Sequence, residues 1–112
     1  MKARAYGNSM EPIIKSSDEI KLARINPEDV KVGDVVSFRT NGLRGLIIPQ
    51  LCHRIISINK NNKTFTSKGD NRSASDPHEI DVPISHIKYI FIEVCENKSF
   101  WEKILNKINH NL

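Results

Sequence analysis

A serine, a histidine and two aspartates stand in three short segments whose residue types suit nucleophilic catalysis. Ser9 lies in the stretch from Gly7 to Pro12, which reads Gly-Asn-Ser-Met-Glu-Pro and is typical of a tight turn. A serine hydroxyl is a poor nucleophile unless a neighbouring base takes its proton. Taken alone, this stretch predicts only a turn with a solvated serine.

His53 is the candidate base. It lies in Cys52-His53-Arg54-Ile55-Ile56, beside an apolar strand, and imidazole is the side chain whose ordinary titration range suits acid–base catalysis near neutrality. A lone histidine beside an apolar strand is commonly a structural residue, so His53 is predicted to act as a base only if its side chain lies close to Ser9. Surface roles are predicted for the other histidines, which lie in loop-like or terminal surroundings: His78, His86 and His110.

The third segment carries the carboxylates. Asp70 lies in a Gly-Asp-Asn turn directly after a predicted strand, and Asp76 follows six residues later. A buried carboxylate that accepts the imidazole N–H fixes the histidine tautomer and stabilises the imidazolium that forms during catalysis. The alternative is a polar loop closed by Asx turns, in which both aspartates are solvated.

Together, and in this order, the segments resemble the signal peptidase I family, which is similar also to the LexA-type self-cleaving repressors. Gly7–Pro12 resembles the Ser-Met-x-Pro nucleophile box of that family, and Lys31–Phe38 resembles its Gly-Asp-Val-Val-x-Phe strand. Ser67–Arg72 resembles its Gly-Asp-Asn-Arg box. The resemblance runs from Gly7 to about Ile90, and the ordered coincidence of several weak motifs makes it strong.

The resemblance implies a serine endopeptidase that cleaves signal or leader peptides after small residues. Bacterial members pair the serine with a lysine, whereas the archaeal and endoplasmic-reticulum branch has the His-Arg pair found here as His53-Arg54. The implied triad is Ser9, His53 and Asp76, with Asp70 as a supporting carboxylate or as the alternative third member. The implied oxyanion donor is the Ser9 backbone N–H, and supporting positions around it are Gly7, Asn8, Met10 and Asn71.

The same resemblance implies that an extended peptide binds along a strand edge. Apolar candidates for its side-chain pockets are Ile13, Ile14, Ile47 and Ile48.

No cofactor and no metal is predicted, because Cys52 and Cys95 form no CxxC pair and have no histidine at ligand spacing. The two cysteines are predicted to be buried free thiols, with a single disulfide as the alternative.

The elements that must position these residues are mostly strands. Strict alternation predicts a strand over residues 19–25, and a β-branched run predicts another over 35–38. Residues 54–58 and 64–68 flank a polar turn and predict a hairpin, and residues 84–94 hold the last apolar run. Several short, closely spaced strands predict a small barrel-like, mostly-β domain over residues 1–98.

The C-terminal stretch predicts an amphipathic helix over residues 99–112. Ser99 and Glu102 form a capping-box pair, and the apolar side chains that follow recur on one helical face: Phe100, Trp101, Ile104, Leu105 and Ile108. This helix is predicted to pack on the β domain, with peripheral contact to a membrane surface as the alternative.

Composition bounds the remaining function classes. A chain of 112 residues suits one domain, and no run of apolar residues is long enough for a membrane-spanning helix. The net charge of +4 is spread among acidic residues, so no nucleic-acid partner is predicted; the cellular location stays open. Two alternatives remain: a non-catalytic peptide-binding domain, and a self-cleaving repressor core, which the six residues before Gly7 disfavour.

Overall fold

Seven antiparallel strands form one sheet that curls into a half-barrel in the computed structural model of this chain, which describes residues 1–40 and 51–95. The prediction of a mostly-β fold is confirmed. The strands are β1 (Lys2–Arg4), β2 (Glu19–Arg24), β3 (Val35–Phe38), β4 (Leu51–Asn59), β5 (Thr64–Lys68), β6 (Val82–Pro83) and β7 (Ile87–Val94). The predicted helix over 99–112, the domain boundary at residue 98 and the pair Ile47-Ile48 lie outside the described residues.

The sheet order is β1-β2-β7-β3-β4-β5-β6, and every neighbouring pair is antiparallel. β7, the last strand in the described part of the chain, therefore lies between β2 and β3, near the middle of the sheet. β4 and β5 form the predicted hairpin, and β3 pairs with β4 so that Val36 is opposite His53. This pairing places the candidate base on an internal strand with neighbours on both sides.

Two hydrophobic clusters hold the sheet. The Phe38 cluster consists of Val36, Phe38, Ile55, Phe65, Val82, Ile84 and Ile87. The Met10 cluster consists of Met10, Ile14, Ile20, Leu22 and Val35. Val35 and Val36 are consecutive yet belong to different clusters, as the alternation of side chains along a strand requires. The Met10 cluster ties the segment after Ser9 to the sheet.

Within residues 1–40 and 51–95, three single turns of 3₁₀ helix connect strands, at Pro27–Asp29, Pro77–Glu79 and Ile84–His86. The last apolar run is therefore a helical turn followed by β7, and not strand throughout. β1 and β6 were not predicted, because two or three residues are too few to show an alternating pattern.

Candidate active site

Ser9 and His53 meet although 44 positions separate them in the chain. The Oγ atom of Ser9 lies 2.8 Å from Nε2 of His53, a hydrogen-bond distance. His53 is buried, with 5% of its surface exposed, whereas Ser9 is partly exposed. A buried imidazole that reaches a more exposed hydroxyl is the arrangement that a base and a nucleophile require.

Glu79 holds the other side of the imidazole. Its Oε1 atom bonds Nδ1 of His53, and its side chain is almost completely buried. When Nδ1 donates its proton to a carboxylate, Nε2 is left as an acceptor for the Ser9 hydroxyl. Ser9, His53 and Glu79 therefore form a continuous line of hydrogen bonds from the hydroxyl to a buried carboxylate.

Two further donors fix the Glu79 carboxylate. The backbone N–H of Asp76 donates to Oε2 at 3.2 Å, and the Ser67 hydroxyl donates to Oε1 at 3.4 Å. Burial acts to raise the pKa of Glu79, but the hydrogen bond and the attraction from His53, helped by the Asp76 N–H, bring the pKa below its usual value. The carboxylate is thus kept ionised where it faces the imidazole.

Neither aspartate that the sequence singled out contacts His53. The side chain of Asp76 is 62% exposed and points toward His78, with Nε2 of His78 at 4.0 Å from Oδ2. Asp76 bonds the Glu79 carboxylate through its backbone N–H, and its carbonyl accepts the Glu79 N–H at 2.9 Å, as the residue before the 3₁₀ turn that carries Glu79. The position next to the imidazole, expected for Asp76 or Asp70, is therefore occupied by Glu79.

Asp70 has a different partner. Both of its carboxylate oxygens accept hydrogen bonds from Arg54, from Nε and from Nη2, at 2.8 Å each. This hydrogen bond lowers the pKa of Asp70 against the opposing effect of its partial burial. Arg54 also donates to the Gly33 carbonyl at 2.7 Å. Because Arg54 follows His53 on β4, the pair ties the Gly-Asp-Asn turn to the strand that carries the base.

The Gly-Asp-Asn turn also holds residues 7–12, the loop that carries Ser9 and is called the nucleophile loop below. The Asn71 backbone N–H donates to the Ser9 carbonyl at 2.8 Å, and its side-chain amide donates to the Asn8 carbonyl at 3.0 Å. Gly69 packs so closely that a Cβ there would lie 2.6 Å from the Ser9 carbonyl oxygen. Glycine is therefore required at position 69, and the turn fixes the backbone on both sides of the Ser9 hydroxyl.

The remaining predicted support residues surround the same loop. Met10 is buried, and its sulfur accepts the Asp70 N–H at 3.4 Å. Gly7 has a φ of 85°, which glycine adopts without strain, and its N–H donates to the Ser16 hydroxyl at 3.3 Å. The Asn8 side-chain oxygen lies 3.5 Å from the Arg72 guanidinium.

A cavity of about 410 Å³ opens beside Ser9 and His53. Its walls come from β1, β2, the nucleophile loop, β3 and the start of β4. Of the two isoleucines predicted to line a side-chain pocket in this region, Ile14 lines the cavity, whereas Ile13 is 46% exposed and does not line it. Cys52 lines the cavity next to the base, but burial raises the pKa of its thiol to about 12. Cys52 is thus a neutral free thiol, and so does not compete with Ser9 as a nucleophile.

Residues 1–40 and 51–95 contain no cluster of three or more His, Cys, Asp or Glu side chains that could hold a metal ion. They also contain no helix of the length and apolar character needed to cross a membrane.

Comparison with known proteins gives no relative: no family model, no curated protein and no solved structure matches the chain.

Proposed function

We propose that this chain is a serine endopeptidase of the signal peptidase I type that cuts signal or leader peptides of precursor proteins. The observation that supports the proposal most is the hydrogen-bonded line from Ser9 through His53 to Glu79. A solvated turn serine and a structural histidine would have no reason to share this geometry. Glu79 takes the role of third member that the resemblance assigns to an aspartate.

In the proposed reaction His53 removes the hydroxyl proton of Ser9 as Oγ attacks a peptide carbonyl carbon. The Oγ–C bond forms and the carbonyl electrons move onto oxygen. The imidazolium, stabilised by Glu79, then returns the proton to the leaving amine as the C–N bond breaks. Water, activated by the same imidazole, hydrolyses the acyl-enzyme ester and restores the Ser9 hydroxyl.

The oxyanion requires preorganised donors, each of which contributes about 3–4 kcal/mol in the best-measured case. The Ser9 backbone N–H is the candidate, since no acceptor within the described ranges bonds it. Asn71 and Gly69 fix the peptide plane on the other side of Ser9, and so help hold this N–H in one orientation.

The test uses a peptide library digested from a whole proteome, incubated with the protein and analysed by mass spectrometry for new termini. The wild-type chain is expected to produce a defined set of cuts, and Ser9→Ala is expected to produce none while unfolding at the same urea concentration. Equal cutting by Ser9→Ala would remove the nucleophile assignment. A folded wild-type chain that cuts nothing would instead favour a non-catalytic peptide-binding domain.

A further inference from the structure

The turn beside the nucleophile loop carries two positive charges that no carboxylate neutralises directly. Residues 68–72 include Lys68, Asp70 and Arg72. The Asp70 carboxylate is already taken, because Arg54 bonds both of its oxygens. Among the described residues, no ion pair joins Lys68 or Arg72 to an acidic side chain. The turn therefore presents positive charge close to the nucleophile.

Arg72 is the residue of this turn whose charge faces the substrate side. The Lys68 ammonium donates to the Gly69 and Arg72 carbonyls, at 2.9 and 2.7 Å, so it closes the turn from within. The Arg72 side chain is exposed and extends to the nucleophile loop, where a guanidinium nitrogen lies 3.5 Å from the Asn8 side-chain oxygen. A guanidinium with this one long contact keeps most of its N–H donors for a ligand.

The guanidinium lies within a few peptide residues of the reacting atoms. Asn8 and Ser9 are consecutive, so their Cα atoms are about 3.8 Å apart. The guanidinium that contacts the Asn8 side chain is therefore no more than about 13 Å from the Ser9 hydroxyl. An extended peptide advances about 3.3 Å per residue, so it covers that distance in about four residues.

Arg72 lies outside the cavity that opens beside Ser9. The nucleophile loop contributes Gly7, Ser9 and Met10 to the cavity lining but not Asn8, and no residue of the turn 68–72 lines it. The mostly apolar cavity suits the residues before the cut, which the family resemblance implies are small at the cut itself. The part of the peptide that leaves the cavity past Ser9, and so comes closest to Arg72, is the part that follows the cut.

We propose that Arg72 selects precursors that carry an aspartate or a glutamate within about the first four residues after the cut. The inference rests on the proposed function, and it adds a second substrate feature to the small residue before the cut. A guanidinium matches a carboxylate through two parallel hydrogen bonds. Exposed pairs of this kind change an equilibrium by roughly 2–5-fold, so the acidic residue is a preference and not a requirement.

Variants of one peptide test the inference. The parent is a substrate that the proteome-library experiment identifies, and each of the four residues after its cut is replaced in turn by Asp, Asn or Lys. At about pH 8 and low salt, kcat/KM for the Asp peptide should exceed that for the Asn peptide by about 2–5-fold at one or more of these positions, and the Lys peptide should be cut most slowly. About 0.5 M NaCl should bring the three values together, because salt screens exposed charges.

Substitution of the guanidinium should reverse this order. In Arg72→Glu the Lys peptide should be cut fastest and the Asp peptide most slowly, whereas Arg72→Lys should keep the wild-type order. If Arg72→Glu cuts too slowly to measure, Arg72→Gln should bring the Asp-to-Asn ratio to about 1. Arg24→Gln is the control: it removes a charge from an exposed residue that ends β2 and does not line the cavity, so it should keep the wild-type ratio.

The outcomes separate the inference from the proposed function. Equal kcat/KM values for the Asp, Asn and Lys peptides at all four positions would overturn the inference and leave the serine peptidase standing. An acidic preference that persists in both Arg72→Glu and Arg72→Gln would also overturn it, because another group would then be its source. Failure of the folded wild-type chain to cut any peptide would overturn the proposed function, and the inference would fall with it.

Discussion

Replacement of Glu79 by glutamine should disable the base while hardly changing the shape of the site. In the wild-type chain one carboxylate oxygen accepts from His53 and the other from the Asp76 backbone N–H. A glutamine has one oxygen and one NH₂ group, so one of these two donors must face another donor. The backbone N–H cannot change, whereas a neutral imidazole can move its proton to the other nitrogen. The amide oxygen should therefore turn to Asp76, and the NH₂ group should donate to His53.

That tautomer puts the proton on Nε2, where it faces the Ser9 hydroxyl and cannot accept its proton. The corresponding aspartate-to-asparagine change in a serine protease lowers kcat by about 10⁴-fold through the same wrong tautomer. We expect a loss of similar size for Glu79→Gln, which corresponds to about 5 kcal/mol of transition-state stabilisation. The assay is kcat on a peptide that the proteome-library experiment identifies as a substrate, with circular dichroism to verify folding.

Asp76→Asn is the matched control, because it makes the same chemical change at an exposed carboxylate and preserves the backbone N–H that Glu79 uses. It should alter kcat by no more than about twofold, the range of an ordinary surface substitution. If Asp76→Asn cost as much as Glu79→Gln, or if Glu79→Gln kept more than a tenth of the wild-type kcat, Glu79 would not be the third member of the triad.

Two further predictions follow from the same contacts. Gly69→Ala should lower kcat, because its Cβ would lie 2.6 Å from the carbonyl oxygen of Ser9. Gly33→Ala is the control: Gly33 has a φ of 99° and open space around it, so this variant should lower stability and leave kcat unchanged. Equal kcat values in the two variants would contradict the prediction. Asp70→Asn should lower the free energy of unfolding by about 1–2 kcal/mol at pH 7. Folding lowers the pKa of Asp70, so the stability that its carboxylate contributes is fully present above its ordinary pKa of about 3.9 and is lost as the pH falls through the folded pKa. In urea titrations, the free energies of unfolding of the wild-type chain and of Asp70→Asn should therefore converge in acid. A difference that stays constant with pH would contradict the prediction.

The strand pattern was accessible from sequence where alternation extends over five or more residues. β2 and the β4–β5 hairpin lie where the alternation and the polar turn predict them, and the four-residue β3 lies where the β-branched run predicts it. The short edge strands β1 and β6 carry no such pattern. Their positions depend on pairing with β2 and β5, which is a tertiary effect.

Glu79 is the residue of the candidate site that local sequence motifs do not predict. A glutamate in a polar Asp-Pro-His-Glu loop is ordinarily solvated, so the sequence alone does not distinguish Glu79 as a candidate beside Asp70 and Asp76. One local signal was present: Asp76, Pro77 and Glu79 occupy the cap, first and third positions of a helical turn, a spacing at which the glutamate reaches back to the cap N–H. That signal predicts the bond to Asp76. The contact with His53 depends on how β4 and β5 place Ser67 and the imidazole on the same side of the sheet.

Mapping of the residue that a fluorophosphonate modifies tests the central claim most directly. The chain contains ten serines, and mass spectrometry of the digested protein distinguishes them. We predict one adduct, at Ser9, that forms at least about 100-fold more slowly in His53→Ala, since a general base contributes about 10²–10⁴-fold. An adduct spread over several serines, or modification of Ser9 at the wild-type rate without the imidazole, would contradict the account.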